Sequence, residues 1–259
     1  EIVQSTPGSL AVTSLLMVVI PYPVCFGQRG DLPMLSGDAI VLQNRFCRYE
    51  IGVDGTVRAF IDRSAGKDYA EQGQSFLAIN VNEKTLASTK VKLDGGLATV
   101  SFGDSPVQVQ VRLGAHPTHL SLTVEKVVGD DVEWVQLCGL RLQISENVGP
   151  LVNAAWNDTF GVCVLACNDR THSYGADGSQ TNLCARCYQK YGLEGARIAI
   201  LGTPTGPPDP AAHLLDAIGE VEMAEGLPQP ILNGVWIKKA SERFASYLMV
   251  HDCGEENID

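Results

Sequence analysis

From Val107 to Leu113 apolar and polar residues alternate without a break, and Leu120 to Glu125 repeats the pattern. Runs of period two bury one face and wet the other, as antiparallel strands do. Cys47, Tyr49, Ile51 and Val53 share one parity; Asp54-Gly55 follows, then Val57, Ala59 and Ile61. An Asp-Gly pair between alternating runs predicts a hairpin whose two turn residues both take positive φ. Asp94-Gly95-Gly96 predicts a second hairpin, between Val91/Leu93 and Ala98/Val100/Phe102. Along Val132 to Ile144 the phase changes. Val135 and Leu137 lie on one parity, and Cys138, Leu140, Leu142 and Ile144 on the other, which predicts a β-bulge near Leu137-Cys138. Phe160 to Ala166 and Ile198 to Leu201 are apolar on both parities and predict strands buried on both faces.

No long amphipathic helix pattern occurs between Ile40 and Gly202, so many short strands in succession predict a sandwich or barrel. After Gly202 the pattern changes. Thr203 to Pro208 reads as a linker, Asp209 as a helix cap and Pro210 as the first helical residue. Ala211, Leu214, Leu215, Ile218 and Val221 form one stripe, and Gly226 ends the helix. An irregular stretch, Leu227 to Trp236, leads to a short apolar strand, Ser246 to Val250, and a helix start at Gly254 to Asp259. A strand running into a helix opens a βα unit, and this one has no parallel partner strand.

Composition narrows the field. With 259 residues and 45% hydrophobic content the chain can build a sizeable core without disulfide or metal staples. Its formal charge of -11 and lack of any basic run exclude nucleic acid as a partner. Ser9 to Ile20 is an apolar run of signal-peptide length, too short to span a bilayer, so no membrane association is expected. No base precedes it and Tyr22 to Cys25 is not A-x-A-like. A leader remnant and a buried strand both stay open. The start at Glu1 rather than Met fits a processed or truncated product.

Several residues invite a chemical reading. Cys163/Cys167 and Cys184/Cys187 have a spacing that zinc sites use. On a strand, however, the first pair of sulfurs would lie about 13 Å apart, so no metal is expected and buried free thiols are preferred. A Cys184–Cys187 disulfide stays open. Trp134, Trp156 and Trp236 can stack on sugar rings or pack in the core. Trp156 is the best sugar candidate, because Asn157 and Asp158 place hydrogen-bonding groups beside it in a loop. Glu220, Glu222 and Glu225 read as the solvated face of the helix. No pair of acids has the context of a glycoside-hydrolysis site, and no phosphate loop, H-E-x-x-H or G-x-S-x-G elbow is present.

Leu42 to Arg63 (LQNRFCRYEIGVDGTVRAFIDR) resembles the first hairpin of galactose-mutarotase-like sandwich domains. These often run strand, D-G turn, then a strand ending in D-x-x-T/S-G. Asp62 to Gly66 stands in that place, with Ala65 where Thr or Ser is usual. The segment from Glu225 through Gly234-Val-Trp-Ile-Lys to Ser246-Tyr-Leu-Met resembles the bridge from such a sandwich into a (β/α) barrel. The resemblance spans residues 39 to 259. It implies a mainly β chain: an antiparallel β-sandwich of the supersandwich type, with a C-terminal linker helix and the first βα unit of a truncated barrel. Residues 1–38 would be a leader or disordered segment, 39–202 the sandwich, 203–245 the linker helix and bridge, and 246–259 the start of the barrel.

The function implied is that of a non-catalytic, carbohydrate-associated front domain of a larger glycoside hydrolase, secreted or periplasmic. Its catalytic carboxylates would sit on later barrel strands. Its partners would be a poly- or oligosaccharide and the missing catalytic domain of the same chain, with no cofactor. His251 and Asp252, directly after the last strand, would face the barrel mouth, or Asp252 would cap the next helix. A free-standing carbohydrate-binding module and the accessory domain of a polysaccharide lyase are the alternatives. A mutarotase-type enzyme ranks last. It needs a histidine base and a carboxylate in one cleft, to be drawn from His116, His119 and His172, and His116-Pro-Thr-His119 reads as a turn.

Overall fold

The structure is a computed structural model and describes residues 32–149, 152–177, 180–228, 231–232 and 234–236. Strands β1 (Met34–Ser36), β2 (Ala39–Gln43), β3 (Cys47–Gly52), β4 (Val57–Asp62) and β5 (Lys67–Asp68) form a five-stranded meander. The strands β6 (Ala78–Val81) and β7 (Lys84–Ala87) make a hairpin. Next come β8 (Lys90–Asp94), β9 (Leu97–Ser101), β10 (Gln108–Ala115) and β11 (Leu120–Val128), then the long β12 (Val132–Leu142). They are followed by β13 (Asn147–Gly149), β14 (Ala154–Trp156), β15 (Phe160–Ala166), β16 (Thr171–Asp177), β17 (Gln180–Tyr188) and β18 (Arg197–Pro204). One sheet runs β13-β14-β15-β18-β11-β10-β9-β8 and another β16-β17-β12-β6-β7. Every pairing in these sheets is antiparallel. The fold is thus a β-sandwich with one α-helix, α1 (Pro210–Ala224), among the described residues, and a small hairpin of β19 (Ile231–Leu232) and β20 (Val235–Trp236) beyond it.

The main core draws Ile40, Tyr49 and Phe60 from the first sheet, Val109, Leu122 and Ile200 from the eight-stranded sheet, and Ile79, Leu140 and Ala185 from the third. A second core lies on the far side of the eight-stranded sheet, where Cys163, Leu165, Ala199 and Leu201 meet Leu214, Ile218 and Val221 of α1. This is why β15 and β18 are apolar on both parities: Val162, Val164, Ile198 and Ile200 face the main core and the residues between them face the helix. Asp209 caps α1 by accepting a hydrogen bond from the Ala212 amide at 3.0 Å, Pro210 sits in its first turn, and Gly226 follows its end with φ +71°. The helix therefore lies flat on the sandwich as a third layer rather than trailing from it.

The expected bulge in β12 is present. Its pairing with β17 shifts between Gln136 and Cys138, skipping Leu137. At Asp94-Gly95-Gly96 the chain turns with φ +52° at Gly95 and +89° at Gly96, and Asp94 pairs with Leu97. The Asp54-Gly55 hairpin forms too, but not as the two-residue turn with both residues at positive φ. The β3–β4 register slips at Glu50/Ile51, and at Asp54-Gly55 only Gly55 takes positive φ, +80°. Asp54 instead folds its carboxylate onto the Thr56 amide and hydroxyl at 3.1 and 2.7 Å, and it pairs with Arg58. Gly55 is required for space as well: a Cβ there would stand 2.6 Å from the Ser88 carbonyl carbon.

Among the described residues, strand pairing begins at Met34, with β1 against β2. The apolar run at Ser9 to Ile20, the strand at 246–250 and the helix start at 254–259 lie outside the described residues.

Candidate functional site

Two clusters of polar side chains stand out. The first is a closed knot at the junction of α1 and the eight-stranded sheet. The turn from β10 to β11 places His116 and His119 face to face, their rings 4.5 Å apart, closed by the His116 amide on the His119 carbonyl. Glu225 arrives from the C-terminal end of α1, and Arg197 from the first position of β18. Arg197 Nε and one terminal nitrogen hold the two oxygens of Glu225 at 2.6 and 2.7 Å, and its other nitrogen donates to the Thr123 hydroxyl at 2.9 Å. Nε2 of His119 lies 2.7 Å from the same carboxylate, and its Nδ1 lies 3.0 Å from the Thr118 hydroxyl. An ionised carboxylate can only accept, so Nε2 of His119 carries a proton and donates. His116 pairs through Nε2 with Ser121 Oγ at 2.9 Å.

The electrostatics of the knot follow from this geometry. Burial pushes the Glu225 carboxyl upward, but the hydrogen bonds from Arg197 and His119 and the Arg197 charge outweigh it and hold it well below the usual carboxylate range. Burial first, then the charges of His119 and Arg197, lower His116 to about 4. Burial, then the Glu225 charge, raises the neighbouring Cys167 thiol to about 12, so it is no nucleophile at neutral pH. A carboxylate at a helix C-terminus faces the negative end of the helix dipole; Arg197 and His119 offset that cost. Although His116, His119 and Glu225 offer ligand atoms within 4.8 Å of one another, the Glu225 oxygens are committed to three N–H donors and a guanidinium stands where a cation would bind. The knot is a lock between helix and sheet, not a metal centre or a cleft for substrate.

The second cluster is open. It lies on the face of the β16-β17-β12-β6-β7 sheet turned away from the main core. Leu183, Ala185 and Cys187 of β17 point into that core; Asn182, Cys184, Arg186 and Tyr188 take the other parity. Register brings Arg186 opposite both His172 and Gln136, and Trp134 opposite both Tyr188 and Asn80. The Arg186 guanidinium sits 4.0 Å from the Trp134 ring centre and 5.2 Å from that of Tyr174, a cation–π sandwich. Tyr174 stacks in turn on His172 at 5.2 Å. Gln136 accepts from Arg186 at 3.0 Å. Four polar atoms on this face, Asn80 Oδ1, Tyr174 OH, Asn182 Oδ1 and Arg186 Nε, are buried with no hydrogen-bond partner. Burial raises the Tyr174 hydroxyl to about 12 and the adjacent Cys184 thiol above its ordinary value.

The residues expected to bind sugar are placed differently. Trp156 ends β14 and packs against the second core beside the helix. Asn157 is buried and spends its side-chain oxygen on the Thr159 amide and hydroxyl and the Phe160 amide, at 2.9 to 3.0 Å, as the pivot of the β14–β15 turn. Asp158 is exposed at the tip of that turn. His251 and Asp252 lie outside the described residues. The solvated-face reading of the helix acids holds for Glu220 and fails for Glu222 and for Glu225, whose side chain is 7% exposed. Both turn inward because the helix lies on the sheet, and Arg197 compensates Glu225. His172 stands on β16, whereas His116 and His119 occupy the turn between β10 and β11 of the other sheet. The six described cysteines are buried, and none of them is in a disulfide. Cys184 and Cys187 alternate across β17, which keeps them from bonding each other.

The open face had a signal in the sequence. Tyr174, Arg186 and Trp134 are large polar or aromatic residues at the parity opposite the small, apolar core positions. Which strands would lie side by side was not readable there.

No protein family and no curated protein matches the chain. Among solved structures it is similar to the periplasmic domain of the Thermotoga maritima YidC, at 12% identity and a TM-score of 0.34, over 76% of this chain and 100% of that one. It is also similar to an active YidC insertase with the first transmembrane domain resolved, at 11% identity and a TM-score of 0.35, over 77% of this chain and 47% of that one. Likeness at this level carries no argument about function. Among the described residues no helix is long and apolar enough to cross a membrane.

Proposed function

We propose that the chain is a non-catalytic, carbohydrate-associated sandwich module, secreted or periplasmic, that serves a larger glycoside hydrolase. A free-standing carbohydrate-binding module and the accessory domain of a polysaccharide lyase use the same surface chemistry. The observation that carries the reading is the open sheet face. Trp134, half-buried on this face, offers flat apolar area on which a pyranose ring stacks. Around it Asn80, Asn182, Tyr174 and Arg186 hold two acceptors, a hydroxyl and a donor without partners. Each such buried atom costs about 1–3 kcal/mol while unpaired, and a sugar supplies hydroxyls that donate and accept at close intervals. A few fixed polar groups around aromatic area is the usual make-up of a small-molecule site. The non-catalytic character is supported by the other cluster: its carboxylate is saturated and its His119 is almost wholly buried.

The test is isothermal titration and affinity electrophoresis against a panel of neutral and acidic polysaccharides and their oligomers. Binding is expected, with Trp134→Ala weakening it at least about tenfold, the value of one lost stacking contact of about 1.4 kcal/mol. Trp156→Phe should leave it unchanged. Binding that survives Trp134→Ala and fails in Trp156→Phe would transfer the site to the β14–β15 turn. Turnover of any glycan by the chain would overturn the non-catalytic reading.

A further inference from the structure

We infer that the sugar recognised on this face is acidic: a carboxylate-bearing unit, such as a uronate, pairs with Arg186. The inference rests on the carbohydrate reading above and adds the ligand's charge.

The argument starts from the balance of charge. The chain carries a formal charge of -11, so an unpaired cation should find a carboxylate easily. Arg48, Arg58, Arg112, Arg141 and Arg197 do so, each pairing with a Glu or Asp side chain. Arg186, like Arg45, Arg63 and Arg170, has no ion pair among the described residues. Its recorded partners are the Gln136 side chain and the two flanking rings, and its Nε–H is buried without an acceptor. A half-buried guanidinium without a counter-ion is costly, and the cost falls when an anion arrives. Asn80, more than nine-tenths buried, lies across Trp134 from Arg186 with its own oxygen unpartnered, so the free donor and acceptor flank the same ring.

The positive character continues past Arg186. A cleft of about 420 Å³ adjoins the face at His172 and Tyr188. Arg170, Lys190 and Tyr191 also line it, and Asp169 is the single acid among its lining residues. Neither Arg170 nor Lys190 has an ion pair among the described residues: Arg170 donates to the Glu194 carbonyl, and Lys190 lies 4.7 Å from the Tyr191 ring centre. Aromatic rings and unpaired cations thus run together from Trp134 to Tyr191. A chain of sugars bearing carboxylates at regular intervals matches that strip; a neutral glycan would leave its cations uncompensated.

The test compares polygalacturonate with the same polymer after its carboxyl groups are reduced to alcohols, and alginate with neutral mannan. Titrations are done at fixed ionic strength. The acidic polymers are expected to bind at least about tenfold more tightly than the neutral ones, and Arg186→Gln should remove that preference while leaving the residual neutral binding in place. Lys190→Gln, at an exposed position, keeps the test valid if Arg186→Gln does not fold, and should cut the preference about threefold. Equal binding of native and reduced polygalacturonate would overturn the inference and leave the carbohydrate reading standing. No binding of any polymer, neutral or acidic, would overturn both.

Discussion

Glu225→Gln probes the knot with the least change of shape. The amide keeps the size of the side chain but replaces one acceptor oxygen by an NH₂ group, which then faces the Arg197 N–H donors. It removes either the Arg197 Nε contact at 2.6 Å or, at the other oxygen, both the second Arg197 contact and the His119 contact at 2.7 Å, and leaves the guanidinium without its counter-ion. Removing one partner of a fully buried ion pair costs about 3–5 kcal/mol. Glu225 is 7% exposed but Arg197 is 31% exposed, so water screens part of that loss. About 2–3 kcal/mol is expected at pH 7. With a urea slope of about 2–3 kcal/mol/M for a domain of this size, the midpoint should fall by about 1 M. The folded-state carboxyl titrates below its ordinary 4.5. Its stabilisation is therefore fully present above that value and is lost as the pH falls through the lowered one. The gap between wild type and variant should be constant from pH 5 to 8 and should narrow below about 4.5. Equilibrium urea unfolding followed by tryptophan fluorescence and far-UV circular dichroism reads both. A midpoint within about 0.3 M of wild type at pH 7, or a gap that widens in acid, would refute the role given to the knot.

Three further outcomes follow from the same geometry. His116 titrates at about 4 instead of 6.5, so the unfolded chain takes up its proton first and stability should fall between those values as the pH drops; His116→Gln should flatten that part of the stability curve. Ile218→Ala opens a cavity between α1 and the eight-stranded sheet and should cost about 2–5 kcal/mol, read as a lower thermal midpoint with the far-UV spectrum largely kept. Cys47, raised to about 12 by burial, and Cys138, raised further by the same cause, should be silent to a thiol reagent in the native state at pH 8 and should react once urea unfolds the chain. Prompt native-state labelling at either position would contradict the packing of the main core.

Local pattern carried the β character, the second hairpin, the bulge at Leu137 and the capped helix from Pro210, because each depends on neighbours a few residues apart. Period two at Val107 to Leu113, paired glycines at 95 and 96 and an Asp-Pro start at 209 state their own geometry. The apolar parity of β15 and β18 announced two covered faces, though not that the helix would cover one of them. That last fact belongs to the tertiary structure, and it reverses the reading of Glu225. His119 and Glu225 are 106 residues apart in the chain, and Thr123 and Arg197 are 74 apart, so no spacing could link them. The open face was hidden for the same reason. Trp134, Tyr174 and Arg186 sit on three strands whose order is set by which apolar faces must be buried together, and only that order brings the rings to either side of the guanidinium. Trp156, attractive in the sequence beside Asn157 and Asp158, packs partly buried against the second core, and the Asn157 oxygen turns the chain. Strand periodicity fixes what a residue points away from; the packing of distant segments decides what it meets.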